Sequence, residues 1–287
     1  MAFRLSRRDT PSDGARRLAD EELATAVARL RGDEGSPDQR VHAARKSVKR
    51  VRALLRLLRS SLRGSRFAVD NAALGDAARG LSAARDAAVA IATFDRLVPA
   101  PDPLLTAVRI DLVARSGDVG ATPDEATLRI AADSLALVRP RLLEDLGVLD
   151  WEVLEAGLEA SYGGGRAAMK TAFAELHDEA FHAWRKRAKD LWYQAQVLEG
   201  SCPPQLRALT EMLAELGDQL GEDHDLAVLA AAAAASPALG ERLAARHDEL
   251  RRAAWQLGSK IYAERPRAFL RRIRTYWQVW REGETAD

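Results

Sequence analysis

The sequence is short of cysteines, aromatic residues and long apolar runs, and each shortage excludes a class of structure. Its single cysteine, Cys202, excludes an internal disulfide framework and fits a reducing compartment. The longest apolar run, LAVLAAAAAA at 226–235, has about half of the roughly 20 residues that a membrane span needs, so we expect a core helix there. The N-terminal stretch MAFRLSRRDTPSDG lacks the apolar segment of a signal peptide. We therefore expect a soluble, cytoplasmic protein with no membrane partner.

The residues that favour strands are scarce as well. Aromatic residues make up 6% of the chain, whereas apolar residues make up 47% and are mainly Ala, Leu and Val. This balance favours helices over sheets, and segments rich in Gly and Pro separate stretches with helical periodicity. The sequence predicts an all-α fold built of helical bundles. We expect helices near residues 15–31, 38–63, 66–98, 103–115, 123–146, 150–161, 165–199, 204–222, 225–235, 237–263 and 266–281.

The chain contains an internal repeat. VHAARKSVKRVRALLRLL at 41–58 aligns with FHAWRKRAKDLWYQAQVL at 181–198, at an offset of 140 residues. LSAARDAAV at 81–89 aligns with LGEDHDLAV at 220–228 at nearly the same offset, 139. Two matches at nearly one offset predict that the chain holds two related helical halves.

Charge is balanced in total, with 43 Lys and Arg against 42 Asp and Glu, but it is unevenly distributed. In the first copy of the repeat, an apolar seam with spacings of three and four predicts a face packed in a core: Val41, Ala44, Val48, Val51, Leu55, Leu58 and Leu62. About 100° around the helix runs a seam of basic residues that we call the basic stripe: His42, Arg45, Lys49, Arg52, Arg56, Arg59 and Arg63. Because like charges on adjacent turns destabilise a helix, we expect the stripe to face an anion.

The second copy carries a shorter stripe but keeps an apolar seam, which consists of Phe181, Trp184, Ala188, Leu191, Ala195 and Leu198. His182, Arg185 and Lys189 repeat the first three positions, and Trp192 and Gln196 then replace the arginines. Asp190 also stands where the first copy has Arg50. The second half should therefore contribute less positive charge to any shared site.

Internal neutralisation is one explanation of the stripe. The segments 144–159 and 210–225 each hold six acids and no Lys or Arg, so they could pack beside the basic helices. Surface ion pairs contribute little to stability, however, and a helical bundle does not need an unbroken line of one sign. A long polyanion would need such a line, which favours a binding surface.

These residues resemble the CHAD family, which is named for its histidine-containing α-helical domain. The resemblance covers most of the chain and depends on H-x-x-R-K-x-x-K, which occurs in both copies of the repeat, and on SYGGGRAAMK at 161–170. It implies one domain made of two antiparallel four-helix bundles, residues 1–147 and 148–287, related by an internal pseudo-twofold repeat. It also implies a basic surface that binds inorganic polyphosphate without catalysis and without a metal or other cofactor.

The resemblance, together with Arg56 from the basic stripe, gives a set of twelve residues that we call the predicted site. Its members are His42, Arg45, Lys46, Lys49, Arg52, Arg56, Tyr162, Arg166, His182, Arg185, Lys186 and Lys189. Arginine grips phosphate oxygens with charge-assisted and often bidentate hydrogen bonds. A histidine near its usual pKa would gain charge beside a polyanion. We expect a location in the cytoplasm on polyphosphate granules, with polyphosphate-metabolising enzymes as further partners.

A phosphohydrolase or phosphoacceptor is the first alternative. His42 and His182 could be metal ligands or phosphoacceptors, with Asp86, Asp225 and His224 as further ligands. The sequence has no H-E-x-x-H, no Walker motif and no spaced Cys/His cluster. We therefore interpret Asp225 as the N-cap of a helix at 226–235 and expect no catalysis.

A generic polyanion-binding or nucleic-acid-binding module is the second alternative. Proteins that bind single strands combine basic grooves with aromatic residues that stack on bases. There is no aromatic residue between Arg40 and Arg63, so we expect polyphosphate rather than nucleic acid as the partner.

Overall fold

Helices account for nearly all of the backbone in the computed structural model, which describes residues 3–32, 34–62, 64–81, 85–117, 123–147 and 149–283. Within these ranges there are α-helices and two short 3-10 turns but no strand, so the prediction of an all-α fold is confirmed. The helices are α1 (Pro11–Arg31), α2 (Pro37–Leu57), α3 (Arg66–Gly80), α4 (Arg85–Leu97), α5 (Pro103–Gly117), α6 (Glu125–Asp145), α7 (Trp151–Glu175), α8 (Asp178–Leu198), α9 (Pro203–Ala232), α10 (Pro237–Ile261) and α11 (Pro266–Glu282). None of them, in the part of the chain described, is long and apolar enough to cross a membrane.

Two hydrophobic cores hold these helices together. The larger core takes buried residues from α1, α2, α3, α6, α7, α8, α11, most of α9 and the end of α10. The smaller core lies among α4, α5, the end of α9 and α10. Both cores combine residues from before and after residue 147. The two four-helix bundles and their division at that point stay a prediction.

The two copies of the repeat form α2 and α8. α2 begins with a capping box, in which Ser36 accepts a hydrogen bond from the Gln39 backbone and the Gln39 side chain accepts one from the Ser36 backbone. α8 begins after His177, whose ring accepts a hydrogen bond from the Ala180 backbone. Every apolar seam residue of both copies is buried, as the periodicity predicted.

Two predicted helix ends are wrong. Asp225 is not an N-cap, because it lies inside α9, whose buried face continues through Leu220, Leu226 and Leu229. That packing outweighs the low helix propensity of the Gly and Asp residues around it. The GGG segment at 163–165 likewise lies inside α7 instead of ending a helix. The predicted helix at 66–98, in contrast, is two helices, α3 and α4. The predicted helix at 165–199 is also wrong, because α7 ends at Glu175 and α8 begins at Asp178.

Candidate functional site

The two helices formed by the repeat, α2 and α8, contact each other within the larger core. The side-chain amide of Gln194 on α8 is buried and donates a hydrogen bond to the carbonyl oxygen of Ala53 on α2, at 3.3 Å. The apolar seams of both helices face this core, so their basic residues lie on the neighbouring sides. The first and second copies of the repeat therefore pack in the same hydrophobic core.

Helix α3 orients the arginines of the basic stripe on α2. Arg45 Nη1 donates to the carbonyl oxygen of Ala78 at 3.2 Å, and Arg52 Nε donates to Asn71 Oδ1 at 3.0 Å. Burial lowers the pKa of the Arg52 guanidinium, and the nearby charge of Arg56 lowers it further. An Arg remains charged despite such a shift, so its charge is held in a partly desolvated position.

The exposed residues of the predicted site on α2 lie beside these arginines. His42, Lys46 and Lys49 are exposed, while Arg45 and Arg52 are half-buried. The α2 residues of the predicted site therefore include both fixed guanidinium groups and long solvent-facing side chains. Arg59 of the stripe is exposed and lies over the ring of Phe67, and Arg63 lies outside the described residues.

On α8 the basic side chains pack against α9. Lys189 Nζ lies 3.5 Å from Asp218 Oδ1 and 4.5 Å from the centroid of the Trp192 ring. Gly217 leaves room for this lysine, because a Cβ atom at that position would come within 2.5 Å of Lys189 Cε. Burial lowers the pKa of Lys189. Lys186 is exposed beside it.

His182 stacks on His224, with the ring centroids 4.2 Å apart and the planes inclined at 25°. Burial lowers the pKa of His182 to about 4, and the charges of His224, Lys186 and Arg185 act in the same direction. Within the described residues, its buried Nδ1 has no hydrogen-bond partner. His182 is therefore neutral near pH 7 in the free protein, and a bound polyanion would have to raise its pKa considerably to protonate it.

The low pKa of His182 predicts a pH dependence of folding. Because the folded protein binds this proton less readily than the unfolded chain, where the usual pKa is 6.5, the contribution of His182 to stability is lost as the pH falls from 6.5 towards 4. We expect the free energy of unfolding to decrease less between pH 7 and pH 5 in a His182→Gln variant than in the wild type. Urea denaturation at both pH values measures this, and an unchanged decrease would contradict the assignment.

An ion pair joins α2 to α8 near the C-terminal end of α2. Arg56 Nη1 lies 2.9 Å from Asp190 Oδ1, and the two side chains are 26% and 15% exposed. Burial raises the pKa of Asp190, while the charges of Arg56, Arg187 and Arg52 oppose that rise. The sequence indicated only that Asp190 would reduce the positive charge of the second half. It did not indicate that this carboxylate would reach an arginine of the first half.

Tyr162 does not lie on a surface. It is 0% exposed, its ring stacks on Phe269 with centroids 4.0 Å apart, and its hydroxyl donates to the carbonyl oxygens of Ile261 and Glu264 at 3.1 Å each. The structure therefore assigns Tyr162 to the core, because no part of the ring is available to a ligand. Arg166, one turn further along α7, is half-buried and donates to the Tyr262 carbonyl oxygen at 3.3 Å.

The acidic segments pair mainly with arginines outside the basic stripe. The pairs are Asp145 with Arg66, Glu152 and Glu155 with Arg274, Glu222 with Arg246, Asp223 with Arg251 and Asp225 with Arg96. One acid of these segments, Asp218, does form an ion pair with a residue of the predicted site, Lys189, within the described part of the chain. Among the described residues, these two acidic segments therefore neutralise mainly arginines outside the stripe.

Among the side chains that the structure describes, the ligands of the alternative metal site do not come together as a group. His182 and His224 stack face to face, Asp225 Oδ2 lies 3.9 Å from Arg96, and the side chain of Asp86 is outside the described residues. Another group, Asp178, Asp223 and His247, does bring its ligand atoms within 4.8 Å of one another. Arg251 pairs with both of its carboxylates, at 2.8 Å from Asp223 and 2.5 Å from Asp178, and so offsets part of their negative charge.

Comparison with known proteins identifies the family. The family model of the CHAD domain matches residues 17–234, which is well over half of the chain, so the protein belongs to the CHAD family. A solved structure, the CHAD domain from the plant Ricinus communis, is similar with a TM-score of 0.57 and 19% sequence identity. The alignment covers 97% of this chain and 95% of that chain, which shows a shared fold. No curated protein matches the sequence.

Proposed function

We propose that this protein binds inorganic polyphosphate without catalysis, through the basic side chains of α2 and α8. The observation that carries the proposal is the row of cations on α2, held in place by α3 and followed on α8 by a second, shorter row. The binding residues are those of the predicted site except the buried Tyr162. We further propose that the protein is located with polyphosphate granules or assists polyphosphate-metabolising enzymes.

The chemistry of the ligand fits the geometry of the row. Successive turns of a helix are about 5.4 Å apart, so the stripe offers a cation at each turn to a chain with roughly one charge per unit. Half-buried guanidinium groups such as those of Arg45 and Arg52 are weakly hydrated and can contact two phosphate oxygens each. Polyphosphate, unlike a nucleic acid, has no bases that stack on one another, so its chain is flexible enough to follow the helix.

Calorimetric titration with long-chain polyphosphate tests the proposal. We expect tight binding, with an affinity that falls as salt rises because cations are released from the ligand. By analogy with single-stranded nucleic acid, about six phosphate contacts give a log–log slope near −4. The titration should be repeated at several salt concentrations around the physiological one.

Single-stranded DNA of matched charge is the control ligand. Much weaker binding of this DNA supports recognition of polyphosphate, since the α2 segment has no aromatic residue on which bases could stack. Equal binding of both ligands would reduce the function to that of a generic polyanion-binding surface. Absence of binding to either would refute the proposal.

A further inference from the structure

A carboxylate of α8 lies against the basic stripe of α2. Asp190 of α8 accepts a hydrogen bond from Arg56 of α2 at 2.9 Å. Arg52 and Arg187 are also close enough for their charges to act on it. The Asp190 side chain is 15% exposed, so this negative charge sits within the surface and not on a mobile side chain at its rim.

The repeat shows that this acid is particular to the second copy. The matching residue of the first copy is Arg50, which turns away from the stripe and pairs with Glu22 at 2.7 Å. The two halves are therefore asymmetric at this position: one directs an arginine to another helix, and the other directs an acid towards the stripe. An ion pair that served only to join two helices would not need to involve an arginine of the basic stripe.

We propose that Asp190 is a competing anion within the polyphosphate site, one that holds Arg56 in the free protein and so limits the affinity for polyphosphate. This inference rests on the proposed function. A phosphate that binds Arg56 must displace the carboxylate, and the gain of one charge-assisted bond is offset by the loss of another. Arg56 thus contributes little net affinity while Asp190 is charged.

The length of the ligand determines whether this exchange occurs. A chain already held by cations of α2 presents its next phosphate to Arg56 at a high effective concentration, whereas a free phosphate must compete with Asp190 from solution. Asp190 therefore keeps a single phosphate from Arg56 more effectively than it keeps out the next phosphate of a chain that is already bound.

The first test compares polyphosphate titrations of the wild type and Asp190→Asn. The variant nearly preserves the shape of the side chain but removes its charge, so we expect binding on the order of tenfold tighter because Arg56 becomes available to the ligand. The log–log salt slope should become steeper by about 0.7, as one more cation is neutralised on binding. If Asp190 only positioned Arg56, the substitution would neither tighten the binding nor make the salt slope steeper.

Asp20→Asn is the matched control. Asp20 pairs with Arg139 at 2.6 Å between α1 and α6, and its replacement changes the net charge by the same amount away from the stripe. This variant should bind like the wild type. Equal tightening by both variants would show a general charge effect and overturn the inference.

A double variant, Arg56→Gln with Asp190→Asn, tests the same inference if the single variant does not fold. Replacing both members of a part-buried ion pair with neutral side chains is commonly tolerated. We expect it to bind within about twofold of the wild type, since the pair contributes little net affinity. A tenfold loss would overturn the inference, because Arg56 would then be a full contact despite Asp190.

The outcomes separate this inference from the proposed function. Wild-type binding that is unchanged or weakened by Asp190→Asn would refute the competing anion and leave the proposed function standing. Tighter binding by Asp190→Asn than by the wild type, with Asp20→Asn unchanged, would support the inference. If neither protein binds polyphosphate, both proposals fail.

Discussion

Reversal of two stripe charges, Arg45→Glu with Lys49→Glu, should weaken polyphosphate binding by at least about a hundredfold. The change removes two charge-assisted contacts, each worth about 1.5–3 kcal/mol, and places two repelling carboxylates in the middle of the row. Helical content should stay unchanged, because the apolar seam of α2 is untouched and remains buried. Calorimetry measures the affinity, and circular dichroism measures the helical content.

A variant with the same change of net charge provides the control. Arg129 on α6 and Arg252 on α10 are exposed and lie outside the predicted site, so their replacement by Glu should leave the affinity within a few-fold of the wild type at physiological salt. An equal loss in both double variants would mean that only the total charge matters. Loss of helical content in the stripe variant would favour internal neutralisation instead.

Replacement of Gly157 by Ala should destabilise the protein by about 3 kcal/mol. A Cβ atom at this position would collide with the carbonyl group of Leu57, a backbone atom group at the end of α2 that cannot rotate away. The two helices would have to separate, and overpacking of this kind costs about 1–3 kcal/mol, with the larger values where backbone must shift. Chemical denaturation measures the change in the free energy of unfolding.

Gly163→Ala is the control on the same helix. A Cβ atom there has no neighbour within 4 Å among the described residues, so the substitution should stabilise the protein by about 0.5–1 kcal/mol through its better helix propensity. Opposite signs for the two substitutions would confirm that α7 and α2 touch at Gly157. A gain of stability in both would show that this close approach does not exist in solution.

Periodicity made the main helices and their buried faces predictable. The seams of α2 and α8 follow from spacings of three and four, which depend on local geometry alone. The family was predictable as well, because two copies of one charged motif at a fixed offset are specific. The end of a helix was harder to predict where packing outweighs composition, as in α9 around Asp225.

Contacts between distant segments were the part that the sequence did not reveal. Tyr162 lies four residues before Arg166 in the sequence, but its ring packs on Phe269, far along the chain. Asp190 is one acid among 42 charged carboxyl side chains, and no local pattern indicates that it reaches Arg56 across the two halves. Such pairings depend on the angles and positions at which helices cross. The periodicity of a single sequence does not reveal these.

The even spacing of the cations on α2 has a consequence for how a bound chain would behave. Every unit of polyphosphate is chemically the same, so a long chain can lie on the row in many equivalent registers. The number of registers grows with chain length, and affinity should grow with it even after every cation is in contact. The row would hold a polymer in place while leaving its ends accessible.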